Sequence, residues 1–200
     1  MTSQVTARDR SVWEKCRTLR DVADVTALWL EGHVASQPCC EPNCGPDEET
    51  QQLIPTLACA NRAGFLTTCS QPGHDEVCGY DGALWLQRPA IQGFIHPGPL
   101  LNELAYQADL QGLLVLANHH KQSWLLRSRR VAVTIRKKQA VTWVGAPRFN
   151  PYAHDLLCPR SAASDIEQAV QLTIIDKRYA AVSDLWEVVH RVCTTSLRPL

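Results

Sequence analysis

Between Asn61 and Phe94 the chain twice sets hydrogen-bonding side chains inside stretches that are otherwise apolar. The first is Asn61-Arg62-Ala63-Gly64-Phe65-Leu66-Thr67-Thr68-Cys69-Ser70-Gln71-Pro72-Gly73, the second Gln87-Arg88-Pro89-Ala90-Ile91-Gln92-Gly93-Phe94. Gly64 ends a helix and hands over to a strand from Phe65 to Cys69. A longer strand follows from Ala83 to Ile95. Pro89 inside it demands an edge position or a bulge, because proline brings no amide donor to a ladder. Two consecutive extended segments of this kind are expected to lie side by side and to aim Asn61, Thr67, Ser70, Gln71, Gln87 and Arg88 into a shared hollow.

The segments on either side supply the covering for such a pair. Val22, Val25, Leu28 and Trp29 recur at three- and four-residue steps, which predicts a helix over 11–32 with a break near Thr18 and a stop at Gly32. A Pro- and Cys-rich loop follows from His33 to Gly45. Asp47 is placed to cap a second helix that runs to Arg62 and is kinked by Pro55. Residues 70–82 read as a polar loop. Pro97-Gly98-Pro99 opens a helix buried through Leu100, Leu101, Leu104, Ala105 and Ala108 and closed by Gly112. Leu113 to Ala117 is unbroken apolar sequence, the pattern of a central strand covered on both faces. Val131, Val133 and Ile135 alternate with outward groups, Lys137-Lys138-Gln139 turns, and Val141 and Trp143 return as a hairpin. Ser164 and Glu167 have capping-box spacing. Leu172 to Ile175 makes a last strand, and a helix carrying Tyr179, Val182, Trp186 and Val189 ends the order.

That order predicts an α+β fold, a mixed β-sheet with helices packed on it, in a single compact domain over 1–200. Residues 1–46 form its N-terminal helical segment and Cys-rich loop, and 47–200 its mixed α/β core. With 45% apolar and 20% charged residues the chain has the means to bury a core. Its apolar runs stop at about five residues where a spanning helix needs roughly 20, and no charged-then-apolar leader opens it. A soluble, cytoplasmic protein with no membrane partner is expected.

Nine cysteines, Cys16, Cys39, Cys40, Cys44, Cys59, Cys69, Cys78, Cys158 and Cys193, are an odd number at irregular spacing, which argues against a disulfide framework. Cys59 and Cys193 sit at apolar helix positions and read as small buried side chains. Two chemistries remain open for the others. Cys69, at a strand end, could pair with His119 or His120 at another, the imidazole holding the thiol as thiolate. Cys40, Cys44, His74 and Cys78 could close a tetrahedral structural zinc site, although neither pair has the tight spacing of the common zinc knuckles. No other cofactor is expected.

Net charge is zero, but its layout is uneven. Residues 110–154 hold eight bases and no acid, while 1–109 hold fourteen acids against seven bases. Arg127, Arg129, Arg130, Arg136, Lys137 and Lys138 crowd the hairpin over 127–138, with Trp124 and Trp143 nearby. These are the ingredients for phosphate contact and base stacking, so nucleic acid is a candidate partner. The same residues would also suit a solvated turn that keeps an edge strand from pairing. Phosphate loops, dinucleotide fingerprints, Gly-x-Ser-x-Gly elbows and His-Glu-x-x-His motifs are absent. The hollow between the two motif strands is then the favoured site. Arg88, a lone basic group among neutral donors, suits a small polar or anionic ligand. An enzyme is compatible with this, but no reaction is specified.

Four stretches, Trp29-Leu30-Glu31-Gly32, Gly45-Pro46-Asp47-Glu48-Glu49-Thr50, Asn61-Arg62-Ala63-Gly64-Phe65 through Ser70-Gln71-Pro72-Gly73, and Gln87-Arg88 with Gly93-Phe94, resemble an uncharacterised actinobacterial domain family of the streptomycete type, over about residues 12–145. The resemblance implies a compact intracellular domain of unknown function. It puts the weight on Asn61, Thr67, Ser70, Gln71, Gln87 and Arg88. Cys39, Cys40, Cys44, Cys69 and Pro89 stand outside the pattern, which counts against zinc and against a thiol enzyme.

Overall fold

A capping box decides where the second helix begins in the computed structural model, which describes residues 7–38, 43–79, 82–119, 130–146 and 160–198. Helix α1 (Ala7–Trp13) precedes α2 (Leu19–Leu30). The break expected near Thr18 is a capping box: the Asp21 amide donates to Thr18 Oγ1, and the Thr18 amide donates to the Asp21 carboxylate. The helix expected from Asp47 forms differently. Glu48–Leu53 is a 3-10 helix, Asp47 makes no side-chain cap, and α3 begins only at Ile54 and runs to Ala63. Pro55 thus stands in the first turn of α3, where no intrahelical bond is lost, instead of kinking a longer helix. Gly64 closes α3 with φ 101°.

Further along come α4 (Pro99–Leu110), α5 (Arg160–Glu167) and α6 (Asp184–Ser196). Helix α5 starts early enough that Ser164 lies inside it and is not its cap. Ser183 caps α6, which leaves Tyr179 and Val182 in the loop before it. Among the described residues the strands are β1 (Phe65–Gln71), β2 (His74–Cys78), β3 (Leu84–Gln87), β4 (Ala90–Ile95), β5 (Leu114–His119), β6 (Val131–Arg136), β7 (Gln139–Val144) and β8 (Val170–Ile175). They make two four-stranded sheets, ordered β1-β4-β8-β5 and β2-β3-β6-β7, and every pairing is antiparallel.

The fold is α+β, as expected, but its strands form two antiparallel sheets and not one mixed sheet. One long ribbon explains the difference. Strands β1 and β4 pair in the first sheet, while β2 and β3 pair in the second. The ribbon passes between them at Pro72-Gly73 on one side and Arg88-Pro89 on the other. Proline on both sides interrupts the ladder, so the single strand expected from Ala83 to Ile95 becomes two. Gly73 has φ +85° and lies so close to the Pro89 ring and the Ala180 carbonyl that a Cβ would overlap both. The polar loop expected over 70–82 instead contains the end of β1 and all of β2. The apolar run at Leu113–Ala117 is β5, an edge strand and not a central one. The run measured its liking for burial, not its number of neighbours.

The first sheet is packed on both faces. Phe65, Ile91, Ile95, Leu172 and Ile174 join Leu57 of α3, Leu104 of α4 and Leu185 and Val189 of α6. One residue along each strand, Leu66 and Phe94 turn the other way to meet Trp13, Leu19, Val22 and Ile166 of α1, α2 and α5. Farther along that second face, Ala90 and Ile175 meet Val133 and Val144 of the second sheet. Two buried glutamines bind the chain that leaves β7: the Gly145 amide donates to Gln92 Oε1 (2.9 Å) and Gln171 Nε2 donates to the Ala146 carbonyl (2.8 Å). No helix among the described residues is long and apolar enough to cross a membrane.

Candidate functional site

Strand β1 is an edge strand of the first sheet, so one of its sides has no β partner among the described residues. The register slips between Thr67 and Cys69, a bulge that re-aims the side chains following it. A hollow of about 270 Å³ lies along this segment, with Thr67, Thr68, Cys69, Ser70 and Gln71 on one wall. Trp29 and Thr26 of α2 line it as well, together with Asp47, Glu49 and Thr50. Three of the stretches that carry the resemblance therefore meet at one place: the end of α2, the segment entering the 3-10 helix, and β1.

The six expected ligand-binding residues divide by what already occupies them. Asn61 is fully buried at the end of α3. Its Nδ2 donates to the Leu57 carbonyl (2.8 Å) and to Thr67 Oγ1 (2.7 Å), and its Oδ1 accepts from the Thr67 amide (3.1 Å). Asn61 fixes the position of Thr67 from behind and does not line the hollow. Gln71 is similarly committed. Its Oε1 accepts from Gln87 Nε2 (2.6 Å) and Thr134 Oγ1 (3.3 Å), and its Nε2 donates to the Ser70 carbonyl (3.0 Å). Gln87 Oε1 in turn accepts from the Gly73 amide (3.1 Å). Gln71, Gln87 and Thr134 thus clamp the two sheets together where the ribbon crosses, and only Gln71 of the three also reaches the hollow.

Ser70 is different: its hydroxyl has no hydrogen-bond partner among the described residues, and neither have the side chains of Asp47, Glu49 and Thr50. These are the groups left for something else to meet. Two acidic side chains and no basic one line the hollow, so its field favours a cationic or neutral group. Arg88 is not at the hollow. Its guanidinium lies 4.4 Å from the centre of the Tyr179 ring, Nη1 donates to the Ala132 carbonyl at 3.4 Å, and the buried Nε has no partner. The two motif strands do pair, but their hydrogen-bonding groups separate into a hollow, a clamp and an arginine–tyrosine stack.

The pairing of Cys69 with His119 has no geometry to support it. Cys69 and His119 lie on the two edge strands of the first sheet, three strand spacings or about 14 Å apart. Register puts them on opposite faces as well, since Cys69 aligns through Gln92 and Thr173 with Leu116, three residues from His119. His120 lies outside the described residues, as do Cys39 and Cys40 of the metal candidates. Cys44 and Cys78 are exposed, and His74 Nδ1 lies 2.8 Å from the Asp75 carbonyl. Among the described residues no three His, Cys, Asp or Glu side chains gather in a way that could hold a metal ion.

In the basic hairpin, Arg127 and Arg129 lie outside the described residues and Arg130 is exposed. Arg136 stacks over Trp85, 4.7 Å from the ring centre. Lys137 and Lys138 form the turn, both with positive φ (49° and 65°) and both exposed. The residues that sequence reasoning missed at the hollow are Trp29, Asp47, Glu49 and Thr50. Their signal was there in the stretches that carry the resemblance, but read locally they serve as a helix face and a cap.

A family model described as Domain of unknown function (DUF6919) matches residues 8–196. No match was found among curated proteins.

Proposed function

This chain belongs to the DUF6919 family, and on that premise we propose that it binds a small polar molecule, cationic or neutral, in the hollow beside β1. One observation carries the reading: the Ser70 hydroxyl and the Asp47 and Glu49 side chains, without partners of their own among the described residues, line one space that no basic group enters. At about 270 Å³ the space falls just under the roughly 300–1,000 Å³ of drug-sized sites, so the ligand is small. Thr67, held by Asn61, offers a prepositioned oxygen, and the Trp29 indole provides a face toward which an organic cation is attracted. This shifts the emphasis from an anionic ligand to a cationic or neutral one, because the only arginine of the two motifs outside α3, Arg88, is occupied elsewhere. The hollow recognises its ligand.

The reading is tested by thermal-shift and calorimetric screening of small amines, polyols and carboxylates against the wild type, Ser70→Ala and the double variant Asp47→Asn/Glu49→Gln. Amines or polyols should bind the wild type, and Ser70→Ala should weaken them about 5- to 20-fold by losing one hydrogen bond in a confined site. The double variant should lose amines selectively. Binding of carboxylates alone, or binding indifferent to all three substitutions, would overturn the proposal.

A second reading, nucleic-acid binding at the hairpin, draws on the exposed Lys137-Lys138 turn and the half-exposed Trp143 on β7. It requires affinity that falls steeply between roughly 50 and 200 mM salt and depends on Lys137 and Lys138.

A further inference from the structure

A second hollow, about 430 Å³, adjoins the first and shares Trp29, Leu30 and Pro46 with it as a common wall. Its character is different. Val34, Ala35 and Ile54 line it together with the shared Trp29, Leu30 and Pro46. The polar groups that reach it are largely taken: the Glu31 carboxylate receives both terminal nitrogens of Arg62, and Gln51 Nε2 donates to the Pro46 carbonyl (3.1 Å). The Trp29 ring is held between the two spaces by a bond from Nε1 to the Cys44 carbonyl (3.2 Å). One hollow thus offers unpartnered hydrogen-bonding groups and acidic charge, and its neighbour offers mainly apolar walls, with Glu31 and Gln51 already paired and Asn43 as its other polar side chain.

We propose that the ligand is amphiphilic, with a cationic amine head in the hollow beside β1 and an unbranched apolar tail that crosses the Trp29–Pro46 wall into the second hollow. This rests on the reading of the first hollow given above and adds the chemical class of the ligand. The tail is the occupant the second hollow fits, because that space shares Trp29, Leu30 and Pro46 with the head site and is lined mainly by apolar side chains. Burying one methylene stabilises by about 0.8 kcal/mol, which is roughly a fourfold gain in affinity, and an open-sided hollow retains part of that.

The test uses the full chain and a series of primary n-alkylammonium ions from methyl- to octylammonium, measured by calorimetry. Affinity should rise about two- to fourfold per methylene and then level off once the second hollow is filled. Ala35→Trp should flatten that rise by occupying the tail space. Gly45→Leu serves the same purpose if the first variant does not fold, since a Cβ at Gly45 meets nothing within 4 Å. If no member of the series binds, methylammonium included, both the head site and this inference fail. If short and long members bind equally, the inference fails and the head site stands. An undiminished chain-length dependence in both blocked variants places the tail elsewhere and also overturns it.

Discussion

Asp176 shows how much a single carboxylate can organise. It is the first residue past β8, and its side chain is only 4% exposed. Its oxygens accept from the Arg178 amide (2.9 Å), from Arg178 Nε and Nη2 (3.2 and 2.9 Å) and from Ser183 Oγ (2.7 Å), while its own amide donates to the Pro89 carbonyl (2.9 Å). Ser183 then caps α6 by accepting from the Leu185 amide. One side chain therefore sets the loop that carries Tyr179 over Arg88. Burial pushes this carboxyl's pKa up, but the Arg178 side-chain and backbone bonds and the Ser183 bond together outweigh it and hold the group below its ordinary 3.8. The sign follows from linkage: the stabilisation is present above the unfolded-state value and lost as pH falls through the lower folded-state value. Asp176→Asn should therefore cost about 2–4 kcal/mol at neutral pH, and its stability should change less than the wild type's below about pH 4. Arg178 is largely exposed, so its ion pair is screened and Arg178→Ala should cost less. Urea unfolding at pH 7 and pH 3 decides this; equal losses for Asp176→Asn at both pH values would refute it.

Between elements, the decisive join is the ribbon's passage from one sheet to the other. Gln87, 5% exposed, gives Gly73 its acceptor and gives Gln71 its donor. Gln87→Leu keeps the volume but strands the Gly73 amide in a buried crossing and leaves the Gln71 side-chain oxygen with Thr134 Oγ1 alone. The expected cost is about 2–4 kcal/mol, with amide exchange accelerated first in β2 and β3; a loss under about 0.5 kcal/mol would show the clamp to be dispensable. This join also marks where reading the sequence stopped working. Thr67, Ser70 and Gln71 could be picked out at the hollow because polar groups interrupting an apolar strand are visible locally. Gly64 as a helix stop, the Thr18 break and the pairing of the two motif strands were legible for the same reason. Periodicity does not report partners at long range, so the division of one strand at Arg88-Pro89 and the edge position of β5 were not. Trp29, Asp47 and Glu49 reach the hollow from segments roughly twenty to forty residues before β1, and only tertiary packing shows that they face it. Arg88 was misplaced because a cation's function depends on its neighbour, here Tyr179, which follows it by some ninety residues.

At the scale of the molecule, the first sheet separates two helix layers, and each layer contains a buried cysteine. Cys16 lies with α1, α2 and α5 against Leu66 and Phe94, while Cys193 lies with α3, α4 and α6 against Phe65 and Ile95. Burial, with Asp21 nearby, pushes the Cys16 thiol up to about 11, and burial pushes Cys193 up to about 12. Since the thiolate is the reacting form, neither should be alkylated while folded, whereas the exposed Cys44 and Cys78 should react quickly. The labelling rate of each buried thiol then measures the free energy of opening its own layer. Adjacent residues of β1 and β4 anchor opposite layers, Phe65 beside Leu66 and Phe94 beside Ile95. Glu31 of the turn after α2 also pairs with Arg62 of α3 across the boundary. Removing either layer would thus expose one face of the strands that hold the other. Cys16 and Cys193 should accordingly report opening free energies that agree within about 1 kcal/mol and fall together with denaturant. Peptide-resolved mass spectrometry after timed alkylation measures both in one sample. A Cys16 value lower by more than about 2 kcal/mol would mean that the N-terminal layer opens alone, and with it the Trp29 wall of the hollow.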